Sequence, residues 1–276
     1  MHMADALLSP TVAAVMYAAS AVTAGASVKT LKKDESSAKL PTMAVTSALV
    51  FAGQMINYTI PGTGSSGHIC GGMLLSALLG PQAGFLSMVV ILAIQSLFFA
   101  DGGLLALGAN CWNMAFYGCF VGYYLIWRPI MRSNLFGNRG ACRAKIVLAS
   151  VLGCIVTLQL GAFSVVLETS ASGITELPFG TFVAIMQPIH LAIGLVEGLI
   201  TSAVLIFVYE ARAELLEDVG TAENEGKFSL KKTLAVLAVA AAVIGGGLSL
   251  FASSNPDGLE WSLFGNTEAG YSQNMG

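Results

Sequence analysis

Histidine is scarce in this chain of 276 residues: there are three, His2, His68 and His190, and the setting of each bears on chemistry. Met1-His2 joins a free α-amine, the amide of residue 2 and an imidazole, which together can close two fused chelate rings around one metal ion. A fourth nitrogen would complete a square-planar field, the geometry that suits Ni(II) and Cu(II), and displacing an amide proton requires a metal late in the Irving–Williams order. Methionine is normally retained before a residue as bulky as histidine, so Met1 is expected to stay. His68 ends the loop Pro61-Gly-Thr-Gly-Ser-Ser-Gly-His68. Its glycines permit tight turns and close backbone approach, and His68 is the natural fourth donor. The plainer readings are a chance histidine at position 2 and a capping or solvated histidine at 68.

His190 falls within an apolar run, about ten residues or 15 Å from its start at helical rise, and Glu197 lies two turns further on the same face. Ionisable groups at such depth are costly unless they face a cavity or a partner. Either a supporting or release-path role or an inter-helix hydrogen bond would account for them. Asn110 and Asn113, in Gly108-Ala-Asn-Cys-Trp-Asn-Met114, add buried amides that could orient ligands or simply join helices. Gly64-Ser65-Ser66-Gly67 matches the GxSG of rhomboid-like intramembrane serine proteases, with Ser66 as nucleophile and His190 as base. That motif is short, arises readily in a Gly/Ser-rich loop, and is the weaker reading. A third class is a structural or assembly subunit in which the histidines are incidental.

The elements that must position these residues are membrane helices. Apolar residues make up 55% of the chain and charged residues 11%, against roughly 25% charged in soluble domains, so no water-soluble surface can be built. A net charge of −3 with no basic stripe excludes nucleic acid as a partner. Cys70, Cys111, Cys119, Cys142 and Cys154 are widely spaced and mostly within apolar runs, as small packing residues rather than a disulfide framework or metal knuckle. The first apolar run lacks a basic leader and a small-residue cleavage site, so it reads as a retained helix.

Runs long enough to cross a bilayer lie near 7–28, 40–58, 82–100, 104–127, 146–167, 180–208 and 233–252, with a shorter one at 69–80. If the short run also crosses, tilted or buried within protein, there are eight crossings. All 13 lysines and arginines then share one face: Lys29, Lys32, Lys33 and Lys39; Arg128, Arg132, Arg139, Arg143 and Lys145; Arg212, Lys227, Lys231 and Lys232. The positive-inside rule makes that face cytoplasmic and both chain ends external. The outer loops hold only acids, among them Asp5, Asp101, Glu168 and Glu176. The expected organisation is a seven-helix membrane domain (1–212), a polar, solvated cytoplasmic linker (213–229), and one further helix with an external tail from Ser253 (230–276), without internal repeats. Small residues four apart recur at Ala14 and Ala18, Ser20 and Ala24, Gly72, Ser76 and Gly80, and Gly194 and Gly198, where helix backbones can approach closely. The first of these rows is the one to offer to a partner protein.

Taken together, Met1-His2, Pro61 to Gly72 (PGTGSSGHICGG), Ala106 to Met114 (ALGANCWNM) and His190 to Thr201 (HLAIGLVEGLIT) resemble the substrate-binding (M) component of the nickel/cobalt energy-coupling-factor transporters, the NikM/CbiM family. Pro256-Asp-Gly-Leu-Glu-Trp-Ser262 is similar to the motif of the family's small N component. The resemblance implies an all-α membrane bundle whose N-terminal segment reaches into the core. It also implies a transported Ni(II), with Co(II) the alternative, held by Met1, His2 and His68, and no organic cofactor. A transmembrane coupling (T/Q) component and two cytoplasmic ATPase (O) subunits in a bacterial or archaeal cytoplasmic membrane would be its partners. The chain itself would not be an enzyme, and it contains no P-loop GxxxxGK[ST]. One departure stands out: the N component has two helices, whereas one follows the linker here. The chain is expected to be either a single-helix fusion, the type that goes with nickel, or cut short at Gly276. No role is assigned to Cys70 or Trp112.

Overall fold

The computed structural model describes residues 2–31, 39–134, 141–175, 177–219 and 227–264. Helix α1 (Pro10–Leu31) begins where Ser9 offers its hydroxyl and carbonyl oxygens to the N–H groups of Val12 and Ala13. Pro10, which has no N–H to satisfy, takes the first helical position. Then come α2 (Leu40–Gln54), a small antiparallel ribbon of β1 (Tyr58–Thr59) and β2 (Ser66–Gly67), and the short α3 (Gly72–Leu79). Helix α4 (Pro81–Ile94) is prolonged by a π-wound turn at Gln95–Phe99. Helix α5 is one rod made of Leu107–Asn110, a π-wound stretch Cys111–Trp127 and Arg128–Arg132. The chain closes with α6 (Ala141–Ser172), α7 (Phe179–Arg212), α8 (Leu230–Gly246) and α9 (Gly258–Phe264).

Among the described residues, Pro10–Leu31, Pro81–Phe99, Cys142–Ser172, Phe179–Leu215 and Leu230–Phe251 are apolar and long enough to cross a bilayer. The chain is therefore an all-α, multi-pass membrane protein. The short run takes an unusual form. Helix α3 rises only about 12 Å, and every one of its residues is buried. Gly80, at φ 83°, reverses the chain. A Cβ at Gly84 would stand 3.0 Å from the backbone N of Ser76, so α3 and α4 lie side by side as a hairpin. The non-helical residues 68–71 lead into α3.

Glycines set the tightest helix contacts. Cβ atoms at Gly194 and Gly198 would stand 2.9 Å and 2.6 Å from the Cα atoms of Ile155 and Val151, so this row seats α7 on α6, while Gly72 faces Gly118 in the same way between α3 and α5. Ala14 and Ala18 of the first row are exposed on α1. The described cysteines are free, and all but the half-buried Cys142 are buried.

Two expectations need correction. Glu168 is not a loop acid: α6 runs 32 residues, well past the apolar window that sequence alone delimits, and carries Glu168 into the protein at 7% exposure. The stretch 213–219 docks on the bundle rather than standing free in solvent, with Glu214 alone of its residues exposed. Leu216 is buried, the Glu217 N–H caps α3 by donating to Ala77 O at 2.8 Å, and Trp127 Nε1 donates to Glu217 O at 3.0 Å. Asp218 accepts from Tyr123 and Arg132, and Lys39 pairs with Glu217. Residues 220–226 of the linker, together with Lys32, Lys33, Arg139, Glu176 and 265–276, lie outside the described residues.

The glycine contacts generate a prediction. Gly198→Leu drives a side chain into the backbone of α6 and is expected to destabilise by about 1–3 kcal/mol. Gly25→Ala, with open space around its added methyl, should not. Thermal unfolding in detergent, followed by reaction of a fluorogenic maleimide with the buried cysteines, separates the two.

Candidate metal centre

The imidazoles of His2 and His68 stack with ring centroids 4.8 Å apart and planes 26° from parallel. His68 is 6% exposed, and the His2 side chain 4%. Burial pushes both rings down to about 3, so both are neutral at neutral pH, the form in which imidazole binds a metal. His2 Nε2 lies 3.1 Å from Gln95 Oε1, and Nδ1 lies 3.2 Å from a carboxylate oxygen of Asp101. His68 Nδ1 donates to Ile69 O at 2.9 Å, which leaves Nε2 as the ring nitrogen with a lone pair to offer. Met1 lies outside the described residues. Among those described, no three His, Cys, Asp or Glu side chains gather as a metal site.

The segment that carries His2 is pinned by the next residue. Met3 is fully buried; its N–H donates to Asn110 Oδ1 at 2.8 Å, and its carbonyl accepts from Asn110 Nδ2 at 3.1 Å and from the Gly103 N–H at 2.8 Å. Asn110 thus treats Met3 as a neighbouring strand would. Asp5 accepts from the Ala106 N–H at 3.1 Å. A Cβ at Gly103 would fall 1.7 Å from the Asp5 carboxylate, so only glycine fits there. Asn113 donates to Glu168 at 2.7 Å and touches the Met3 thioether at 3.7 Å.

The segment that carries His68 is held from below. Glu197, 1% exposed, accepts from the Cys70 N–H at 2.7 Å and from the Gly71 N–H at 2.8 Å. Gln54 Nε2 donates to Cys70 O at 2.6 Å. Cys70, for which the sequence suggested no role, is thus used through both its backbone groups. Gly71 has φ 82° and no room for a Cβ against Val50.

The C-terminal tail closes the centre. The Ser66 N–H donates to Pro256 O at 2.8 Å and its hydroxyl to Asn255 O at 2.7 Å; Ser66 and Asp257 form a parallel bridge. The tail is therefore bridged to the ribbon at Ser66, and the Ser66 hydroxyl is engaged by a carbonyl rather than by a histidine. Asp257 caps α9 through the N–H groups of Leu259 and Glu260, both at 2.8 Å. Gly258 packs on His190, whose Nδ1 donates to Met186 O at 2.8 Å. His68, His190 and Asp257 line one space that is too tight for water.

The structure thus brings together His2, His68 and, around them, Asn110, Asn113, Ser66, His190 and Glu197. Gln54 and Gln95 were missed by sequence reasoning, Asp257 was read only as part of the Pro256–Ser262 motif, and Asp101 only as a loop acid. Two glutamines in apolar helices are the one signal that could have drawn attention, since a membrane amide needs a partner.

Residues 2–215 match the family model described as the cobalt uptake substrate-specific transmembrane region, and residues 231–275 match the PDGLE domain. The chain is 36% identical to a putative fused nickel transport protein NikMN of Archaeoglobus fulgidus over 244 residues, 87% of this chain and 75% of that one. It is 34% identical to a probable fused nickel transport protein LarMN of Lactiplantibacillus plantarum over 272 residues, 95% and 78% of the two chains. The crystal structure of a truncated transition metal transporter superposes with a TM-score of 0.65 at 34% identity, over 76% of this chain and 99% of that one.

Glu197→Gln turns an amide donor toward one of the two N–H groups it must accept from. The loss of one buried hydrogen bond, about 1.4 kcal/mol or more, should speed hydrogen exchange of the Cys70 and Gly71 amides about tenfold. Unchanged exchange there would show that the carboxylate does not hold the loop.

Proposed function

The chain belongs to the CbiM/NikM family of nickel/cobalt transport proteins, in the fused form that ends in a PDGLE domain, and on that premise we propose that it captures Ni(II) at the outer face of the membrane. The ion is held by the Met1 amine, the deprotonated amide and the imidazole of His2, and the imidazole of His68. The observation that carries this reading is the stacking of two neutral, buried imidazoles 66 positions apart in sequence, one of them adjoining the amino terminus. A ligand set that draws on a terminus and a backbone amide also needs no cluster of three acidic, thiol or imidazole side chains.

In this reading His2 and His68 supply ligand nitrogens, Asn110 fixes the backbone beside His2, and Glu197 fixes the backbone beside His68. His190 and Asn113 support the centre from α7 and α5. The chain is the metal-binding subunit of an ATP-driven energy-coupling-factor importer, partnered by a transmembrane coupling component and two cytoplasmic ATPases. The end bearing His2 and His68 faces outward. The opposite end, where Lys39, Arg128, Arg132, Arg143 and Arg212 pair with Glu217, Asp218, Glu210 and Glu214, faces the cytoplasm. Co(II), which the same nitrogen ligands accept, is the alternative cargo.

Extending the purified chain by one residue before Met1 removes the amine from the chelate and is expected to weaken nickel binding strongly in a direct titration; undiminished, specific binding would sink the chelate. His68→Ala should cost more than the roughly 10–100-fold of a change outside the ligand set.

Proton release gives an independent check. Each Ni(II) displaces the amide proton and, below the amine's ordinary pKa of about 8, an ammonium proton as well. The imidazoles, held neutral by burial, release none. Affinity should therefore rise about 100-fold per pH unit below that value and about tenfold above it. A one-proton dependence throughout, measured by calorimetry in buffers of different ionisation enthalpy, would remove the amide from the ligand set.

A further inference from the structure

A buried chain of hydrogen bonds links the two ligand-bearing segments. His2 Nε2 meets Gln95 Oε1 at 3.1 Å, Gln95 Nε2 meets Gln54 Oε1 at 2.8 Å, and Gln54 Nε2 meets Cys70 O at 2.6 Å. Gln95 is fully buried and Gln54 is 2% exposed, so water does not stand in for a missing partner. The far end of the chain can only accept, because it is a backbone carbonyl.

Polarity then runs in one direction. The Gln54 atom against Cys70 O must be its NH2, so Gln54 turns its oxygen to Gln95. Gln95 must donate to that oxygen, so its own oxygen faces His2. His2 Nε2 must therefore carry a proton. This deduction does not depend on how the amide atoms were assigned, which coordinates alone rarely decide. The reverse arrangement, with the proton on Nδ1 only, turns Gln95 and Gln54 over and sets two acceptors face to face at 2.6 Å beside Cys70, an expensive contact in a dry interior.

The opposing pull is the Asp101 carboxylate 3.2 Å from Nδ1, but its side chain is 33% exposed and can turn to water. In the neutral ring so fixed, Nδ1 is the nitrogen that carries the lone pair.

We infer that Gln54 and Gln95 are positioning residues that lock His2 in the Nε2–H form and present Nδ1 toward the cation. Nδ1 is the nitrogen on the backbone side of the ring and closes the small fused chelate with the residue 2 amide; Nε2 points away and cannot. The same relay ends two residues from His68, so it also fixes the level of the second imidazole relative to the first. Asp101 adds a negative charge beside the nitrogen to be metallated. Without a cation, two acceptors face each other there, an arrangement that an incoming cation relieves.

The inference rests on the chelate reading, but it can be tested without metal. The sequence holds three histidines, so 15N-histidine labelling gives three imidazole patterns, and the His68→Ala and His190→Ala spectra assign His2 by elimination. Long-range proton–nitrogen correlation in the metal-free protein should show His2 protonated at Nε2. A neutral His2 protonated at Nδ1 alone would overturn the relay whatever the metal data show.

Gln95→Leu should scramble the tautomer and weaken nickel binding about 10–100-fold. Gln95→Glu, as the neutral acid, keeps a carbonyl against Nε2–H and an O–H donor to Gln54 Oε1, and should restore binding to within a few-fold of wild type. Unchanged nickel affinity in Gln95→Leu would also overturn the proposal. Failure of the wild-type chain to bind nickel would defeat the chelate reading, while a His2 found as Nε2–H would still support the relay.

Discussion

Everything at this centre depends on satisfying a few backbone groups that have left the helical pattern inside a membrane protein. Where water is absent, non-helical backbone survives only if protein supplies its hydrogen-bond partners. Residues 68–71 are such a stretch, and Glu197 supplies the partner by accepting two successive N–H groups. It lies about 27 Å along α7 from Phe179 and about 22 Å from Arg212 at helical rise, near the middle of the helix. A carboxylate so placed would be costly alone. Here its two oxygens are spent on two donors that would otherwise be orphaned, and each problem resolves the other. The loop can then stop short of the surface, and α3 can be only one quarter the length of α6.

The two ends of the chain solve the same difficulty with different devices. At the N-terminal end, Asn110 reads both backbone groups of Met3, a side-chain imitation of strand pairing that lets an extended peptide lie among helices. Toward the C-terminal end, the tail meets Ser66 through a single parallel bridge and continues into a short helix capped by Asp257. One segment brings a ligand and the other roofs the loop that brings the second. Glycine recurs at these crossings because the backbones approach too closely for a Cβ, as Gly103 against Asp5 and Gly258 against His190 illustrate.

Much of this was legible in the sequence, and the boundary of what was legible has a physical basis. Long apolar runs announce membrane helices whatever their neighbours, so the all-helical architecture could be read directly. Met1-His2 and the loop histidine could be singled out because their chemistry is written in adjacent atoms and in glycine spacing. Glu168 could not be placed, since hydropathy marks where a bilayer ends rather than where a helix ends. Gln54 and Gln95 were passed over for a different reason: each alone signals only that a membrane amide needs a partner, and their meaning is relational, residing in a hydrogen bond to each other. The docking of 213–219 was hidden likewise, because an acidic, glycine-punctuated stretch reads as solvated until Ala77 O and Arg132 are seen beside it.

The contacts that build the centre also reach far along the chain. His2 bonds a residue 93 positions away, Met3 one 107 away, Cys70 one 127 away and Ser66 one 190 away. Helices form locally and within microseconds, whereas contacts that close loops of this size bear the largest entropy of closure. In the order of assembly the centre therefore comes last. Residues 2–5 must wait, undocked, until the helices that receive them are in place, and the roof arrives only after the seventh helix has been made.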